Sequence, residues 1–138
     1  MVNKEGLEKF FLKEVEIIQN IINRMVYNSF LIKGWTVTLV VGALLLKTEK
    51  RGAIVSLIPL FVFWVLDSYF LLQERRYRVL YKWVINNRLT SEDKLFDLDA
   101  RRFKDQASSY FGAMFSKTLL LFYLGILILL VLYFGVIF

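Results

Sequence analysis

Residues 118–138 read TLLLFYLGILILLVLYFGVIF and contain no charged side chain. A helix needs about 20 predominantly apolar residues to cross the hydrocarbon core of a bilayer, so this stretch meets the requirement by itself. Two earlier apolar stretches, residues 30–46 and 53–72, contain one charged residue each, Lys33 and Asp67. Together the three stretches predict an all-helical membrane protein with three spans, the first of which takes in an extra turn at its ends.

The composition supports lipid rather than water as the solvent of these stretches. Hydrophobic residues make up 57% of the 138-residue chain, against about 45–50% in soluble domains, and the excess is confined to the three stretches. The chain has no cysteine and no histidine, which excludes disulfides, zinc sites built on those ligands and histidine acid–base chemistry. No carboxylate spacing resembles a metal site or a nucleophile–base pair, so we expect no enzyme activity, no metal and no cofactor.

The distribution of basic residues predicts the orientation in the membrane. Four lysines or arginines precede the first span and ten lie in residues 73–117, whereas three lie in the link between the first two spans. Because basic residues collect on the cytoplasmic side, we expect the N-terminus inside and the C-terminus outside a prokaryotic plasma membrane. The inverted topology is the alternative.

The chain is predicted to have four parts: a cytoplasmic amphipathic helix over residues 1–29, a transmembrane hairpin over 30–72, a helical cytoplasmic connector over 73–117, and the third span. Asn3 is a candidate N-cap for the first helix. An apolar stripe at helical spacing then runs from Leu7 to Met25. This stripe either packs on the other cytoplasmic helices or lies in the membrane interface.

The connector is predicted to begin and end as helix. Nothing interrupts a helix between Gln73 and Arg88, so the second span is expected to continue beyond the membrane. Residues 89–99 break the helical pattern, and residues 90–93 offer a loop and a new helix cap. Residues 101–117 then read as an amphipathic lead-in to the third span, which we expect to face lipid.

Lys33 and Asp67 are the most informative pair of residues. A charge at the centre of a bilayer costs about 2.5–3.5 kcal/mol on insertion scales, and the predicted antiparallel hairpin puts the two side chains at similar depth. They satisfy each other as a structural pair, or Lys33 extends to the lipid headgroups, or Asp67 lines a wet cavity or cation path. Thr36 and Thr38 are further polar candidates for such a path.

Two other sets of residues are candidates for contacts. Gly34, Thr38 and Gly42 share one helix face, where small residues allow close approach by the second span or by another subunit. Five basic residues follow the second span and form a candidate contact for anionic lipid or an anionic ligand: Arg75, Arg76, Arg78, Lys82 and Arg88.

Residues 28–40, NSFLIKGWTVTLV, and 63–81, FWVLDSYFLLQERRYRVLY, resemble a group of small prokaryotic membrane proteins. In that group an Asn-Ser-Phe and Lys-Gly-Trp block opens one span, and an aspartate followed by Gln-Glu-Arg closes the next. The positions that match are Asn28, Lys33, Gly34, Trp35, Asp67, Gln73, Glu74 and Arg75. The architecture also looks like the SLATT class of membrane effectors from phage-defence systems.

This resemblance implies a homo-oligomeric pore that acts as a defence effector, and we expect the oligomer to be a tetramer. It also implies control by a nucleotide or oligonucleotide signal from a partner enzyme such as a nucleotidyltransferase. The alternative is a membrane-anchored scaffold or adaptor that docks a partner protein through the stripe from Leu7 to Met25. A transporter is disfavoured because the chain has no inverted repeats.

Overall fold

In the computed structural model, residues 3–46 and 50–137 are described, and they form an all-helical structure without a strand. Helix α1 runs over Lys4–Leu46 and helix α2 over Lys50–Asn87. A 3-10 helix at Ala100–Phe103 and the short helix α3 at Tyr110–Met114 follow, and helix α4 spans Lys117–Ile137. Three of these helices are long and apolar enough to cross a membrane, which confirms the predicted number of spans.

Helices α1 and α2 form one long antiparallel hairpin. Contacts between them join Gln19 to Tyr81 at one end and pack Val40 beside Leu60 at the other. At 1.5 Å per residue, α1 is about 65 Å long, roughly twice the thickness of the hydrocarbon core. Each helix therefore has an apolar half and a polar half, and each helix is continuous from one half to the other.

The apolar half comprises residues 29–46, 50–72 and 117–137, and the polar half comprises residues 3–28 and 73–116.

Helix α1 begins where the sequence predicts, because Asn3 Oδ1 accepts a hydrogen bond of 2.8 Å from the Gly6 backbone N–H. An N-cap of this kind satisfies one of the free N–H groups of the first turn.

The polar half has its own hydrophobic core. Ile18 and Ile22 of α1 are buried against Leu80 and Val84 of α2, and Phe103 closes the cluster. The apolar stripe of the N-terminal helix is therefore used inside the molecule, which agrees with the packing alternative rather than with a position flat in the membrane interface. The same contacts cover Phe11, Val15, Ile18 and Ile22 of the stripe that the adaptor hypothesis assigns to a partner protein.

Helix α4 packs on the apolar half of the hairpin. Leu119, Tyr123 and Leu130 are buried together with Val40 and Leu60. The expectation that the third span simply faces lipid is therefore wrong for one side of α4, although its other side is exposed. Its apolar residues occur all around the helix, so the sequence alone did not distinguish the packed side.

The predicted lead-in helix over residues 101–117 is also wrong. The chain forms two short helical turns instead, capped by Asp99 and Ser109 rather than by residues 90–93. Side chains of α2 hold this segment by its backbone and hydroxyl groups: Trp64 Nε1 donates to the Met114 carbonyl at 3.0 Å, and Arg75 Nη1 donates to Ser108 Oγ at 2.8 Å. These long-range hydrogen bonds replace part of a regular helical ladder.

Candidate functional site in the apolar half

The structure brings Lys33 and Asp67 together, as their predicted depths require. Lys33 Nζ lies 2.6 Å from Asp67 Oδ2. The Asp67 side chain is fully buried, whereas 21% of the Lys33 side chain is exposed. Each residue is on a different helix of the hairpin, so the ion pair ties α1 to α2 inside the apolar half.

Two hydroxyl groups complete the environment of the carboxylate. Ser29 lies one helical turn before Lys33, and its hydroxyl donates to Asp67 Oδ1 while accepting a 2.8 Å hydrogen bond from Lys33 Nζ. The Tyr123 hydroxyl lies 3.1 Å from both Asp67 Oδ2 and the Phe63 carbonyl oxygen. The cluster of Ser29, Lys33, Asp67 and Tyr123, called here the polar cluster, therefore joins all three spans.

Sequence reasoning missed Ser29 and Tyr123 as members of this cluster. Ser29 was identifiable in principle, because residues four apart lie next to each other on a helix. Nothing in the sequence marked Tyr123, because its partner Asp67 is 56 residues away along the chain and α4 has no polar face. The two threonines proposed for a polar path lie on different sides of α1: Thr36 is buried and Thr38 is exposed. Each hydroxyl donates to a carbonyl of its own helix.

The small residues of α1 do not pack against the second span. A side chain built at Gly34 or Gly42 meets no atom within 4 Å, and Thr38 between them is exposed. Close approach to the second span, one of the two predicted uses of this face, is therefore wrong. The other use, contact with a neighbouring subunit, stays a prediction.

The basic residues of α2 have different environments. Arg78 and Lys82 line a cleft of about 710 Å³ between α1 and α2, together with Gln19, Asn23 and Tyr81. Arg78 Nε also donates to Glu74 at 2.8 Å. Arg75 binds Ser108, and Arg76 is partly buried, with no hydrogen-bond partner for its Nε atom within the described part of the chain.

Arg88 does not belong to an exposed basic surface, so its prediction as a ligand or lipid contact is wrong. Its side chain is fully buried, and it forms a bidentate ion pair with Glu14 of α1 at 2.5 and 3.1 Å. A buried guanidinium requires such partners, because an uncompensated charge in the interior is costly. The charge of Arg88 therefore serves the fold of the polar half.

The Glu14–Arg88 pair also holds the loop that follows α2. The Arg88 guanidinium donates to the carbonyl oxygens of Ser91, Asp93 and Lys94. Glu14 Oε1 accepts a hydrogen bond of 2.7 Å from the Phe96 backbone N–H. Lys94 and Phe96 have positive φ angles of 53° and 54°, which are unfavourable for residues with a Cβ. These hydrogen bonds stabilise the loop in that conformation.

Within residues 3–46 and 50–137, no three histidine, cysteine, aspartate or glutamate side chains are grouped so that they could hold a metal ion. Comparisons of the chain with family models, with curated proteins and with solved structures found no match.

Proposed function

We propose that the chain is one subunit of a homo-oligomeric membrane channel, and that Lys33 and Asp67 control or line its ion path. The observation that carries this proposal is the fully buried carboxylate of Asp67 inside three apolar helices, paired with a lysine that is partly exposed. Ionisable residues inside a membrane are costly and typically mark ion pathways or proton relays.

The path is proposed to lie between subunits rather than within one. On the side of the hairpin that faces α4, Val40, Leu60, Leu119 and Tyr123 form a mainly apolar buried cluster, which is a poor lining for a column of water. The outward face of Gly34, Thr38 and Gly42 is open at each glycine, and small residues at this spacing favour contact between helices of different subunits. A tetramer would surround the path with four copies of α1.

Opening is proposed to start in the polar half. Helices α1 and α2 each continue without a break from the polar half into the apolar half, so a displacement of one helix against the other reaches the Lys33–Asp67 pair. Separation of the two side chains would free the Asp67 carboxylate to attract a cation. The basic distribution favours an orientation in which the polar half is cytoplasmic.

The resemblance to SLATT effectors supplies the proposed biological setting, an anti-phage response in the prokaryotic plasma membrane. In that setting a partner enzyme makes a nucleotide or oligonucleotide that opens the channel. The cleft with Arg78 and Lys82 is the place we propose for such an anion, because both charges line it and Tyr81 offers an aromatic ring beside them.

The experiment is a conductance measurement on purified protein in planar bilayers, with linear and cyclic nucleotides added to one side. We expect ion currents from wild-type protein, and an altered cation selectivity in Asp67→Asn. Tyr133→Phe, a change on the exposed part of α4, is the matched control and should leave selectivity unchanged. Wild-type protein that stays monomeric and passes no ions with any of these nucleotides would overturn the proposal.

Subunit contact through the small-residue face has a separate test. Gly34→Leu and Gly42→Leu should lower the oligomer fraction measured by light scattering in detergent. A leucine side chain at either position would prevent the close approach of the neighbouring helix that small residues allow. Gly135→Leu is the control, since it also lies in a membrane-spanning helix with open space at its Cβ. Equal oligomer fractions in all three variants would remove this face from the model of assembly.

A further inference from the structure

A continuous groove separates α1 from α4 on the outside of the apolar half. It consists of two adjoining cavities of about 510 and 630 Å³ that share Ile126 and Leu129 as lining residues. The first cavity begins at Lys33 and Thr118, and the second continues to Leu44 and Val136. Apart from the two residues at its beginning, the lining of the first cavity is apolar.

The first cavity is about as long as the hydrocarbon part of one bilayer leaflet. Its lining on α4 extends from Thr118 to Leu129, which corresponds to about 16 Å along a helix with a rise of 1.5 Å per residue. Half of a hydrocarbon core of about 30 Å is about 15 Å. A single acyl chain that enters from the side of the polar half therefore matches the cavity in depth.

Lys33 supplies a polar contact at the entrance of this cavity. A lysine ammonium group has three N–H donors and no acceptor. Two of them are directed to Asp67 Oδ2 at 2.6 Å and to Ser29 Oγ at 2.8 Å. The ammonium also lies 5.8 Å from the centre of the Phe122 ring, which lines the cavity. The third donor is thus available for an oxygen acceptor placed in the groove.

We propose that a phospholipid occupies this groove, with one acyl chain along Phe122, Gly125 and Leu129 and an ester carbonyl oxygen bound to Lys33 Nζ. A second copy of the chain fits the groove less well. In the described part of the three spans Asp67 is the sole carboxylate, and it is buried, so another copy has no exposed anionic group to place near Lys33, whereas a phospholipid carries an anionic phosphate beside its ester groups. An ester lipid offers both an apolar chain and an oxygen acceptor near the membrane interface.

The test uses two glycines of α4 that both have open space at the Cβ position, Gly125 inside the groove and Gly135 outside its lining. Bound phospholipid is counted by native mass spectrometry after purification in detergent and addition of diacyl phosphatidylglycerol. Gly125→Trp should fill the groove and weaken lipid binding by at least about tenfold, which is about 1.4 kcal/mol. Gly135→Trp should bind lipid as the wild-type protein does.

A second measurement tests the ester contact. Wild-type protein should bind diacyl phosphatidylglycerol more tightly than the diether lipid with the same headgroup, which has no ester carbonyl. The variant Lys33→Met with Asp67→Asn removes the donor without leaving a buried charge unpaired, and it should lose this preference.

Three results would overturn the proposal. Lipid binding by Gly125→Trp at the wild-type level would exclude the groove as the site. Equal binding of the diacyl and diether lipids by wild-type protein would exclude the ester contact. A wild-type dimer that Gly125→Trp dissociates, with unchanged lipid content, would assign the groove to a second copy. None of these measurements depends on channel activity.

Discussion

Within residues 3–46 and 50–137, two buried ion pairs connect α1 with α2 or with the residue that directly follows α2, one pair in each half. In the polar half Arg88 and Glu14 are both essentially inaccessible, with side-chain exposures of 0% and 1%. In the apolar half Asp67 is equally inaccessible, but Lys33 keeps 21% of its side chain exposed. The two pairs therefore resemble each other in charge and helix partners and differ in how completely they are enclosed.

The partners of the two pairs show what the difference means. Arg88 is surrounded by backbone carbonyl oxygens of one loop, and Glu14 accepts from the backbone N–H of Phe96. Such partners move only if the loop moves. Asp67 is instead surrounded by the hydroxyl groups of Ser29 and Tyr123 and by a flexible lysine. We infer that the first pair maintains the fold and that the second is able to rearrange.

The largest expected effect follows from Glu14→Ala. It leaves the Arg88 guanidinium buried without its partner, so the free energy of unfolding in detergent should fall by about 3–5 kcal/mol. Glu16→Ala is the matched control, because it breaks an exposed pair with Lys13 and should cost at most about 1 kcal/mol. Equal stability of the two variants would show that Arg88 does not need Glu14.

Asp67→Asn should have a smaller effect on stability, of about 1.5–3 kcal/mol, in the same unfolding measurement. The lysine loses its anionic partner, but its partly exposed side chain can extend toward the lipid headgroups, as long basic side chains do near membrane interfaces. A loss larger than that of Glu14→Ala would contradict the distinction between an enclosed pair and one that can rearrange.

Tyr123→Phe tests the contribution of the third span to the polar cluster. The variant removes the hydroxyl that Asp67 Oδ2 and the Phe63 carbonyl oxygen share, and it should lower the free energy of unfolding by about 0.5–1.5 kcal/mol. The same substitution at Tyr133, which is exposed, is the control and should have a negligible effect. Equal losses at the two positions would mean that the hydrogen bonds of Tyr123 contribute nothing specific.

The smallest expected effect concerns Asp99, an exposed N-cap in the polar half. Hydrogen bonds from the side chain and the backbone N–H of Arg101 lower the pKa of Asp99 from 3.8 to about 2. Because the pKa is lowered in the folded state, this stabilising contribution is fully present above about pH 4 and is lost as the pH falls toward 2. Titration of the Asp99 carboxyl by NMR in micelles should give the lowered value, and an ordinary pKa would contradict the cap.

The sequence predicted the role of residues whose polarity differs from that of their neighbours along the chain. Lys33 and Asp67 were identifiable because single charges stand out in apolar stretches, and the antiparallel hairpin then placed them together. Glu14 and Arg88 were not identifiable as a pair, because each is one of many charged residues in the polar half. Their pairing depends on a loop conformation with two positive φ angles, which no local signal specified.

The same reasoning explains the errors in the third span and its lead-in. Apolar residues occur on all sides of α4, so the sequence did not indicate which side packs against the hairpin. The burial of Tyr123 could therefore not be predicted. Residues 101–117 have amphipathic spacing, yet side chains from α2, such as Trp64 and Arg75, fix this segment in short turns. Local propensity was overridden there by long-range hydrogen bonds.

The most direct test of the account is the labelling of single cysteines with a membrane-impermeant maleimide, because the chain has no cysteine of its own. Arg51→Cys should react in intact cells, Asn86→Cys should react only after permeabilisation, and Ile128→Cys, on the exposed side of α4, should not react in either state. Rapid labelling of Ile128→Cys in native membranes would contradict the claim that the apolar half, and with it the Lys33–Asp67 pair, lies in the bilayer.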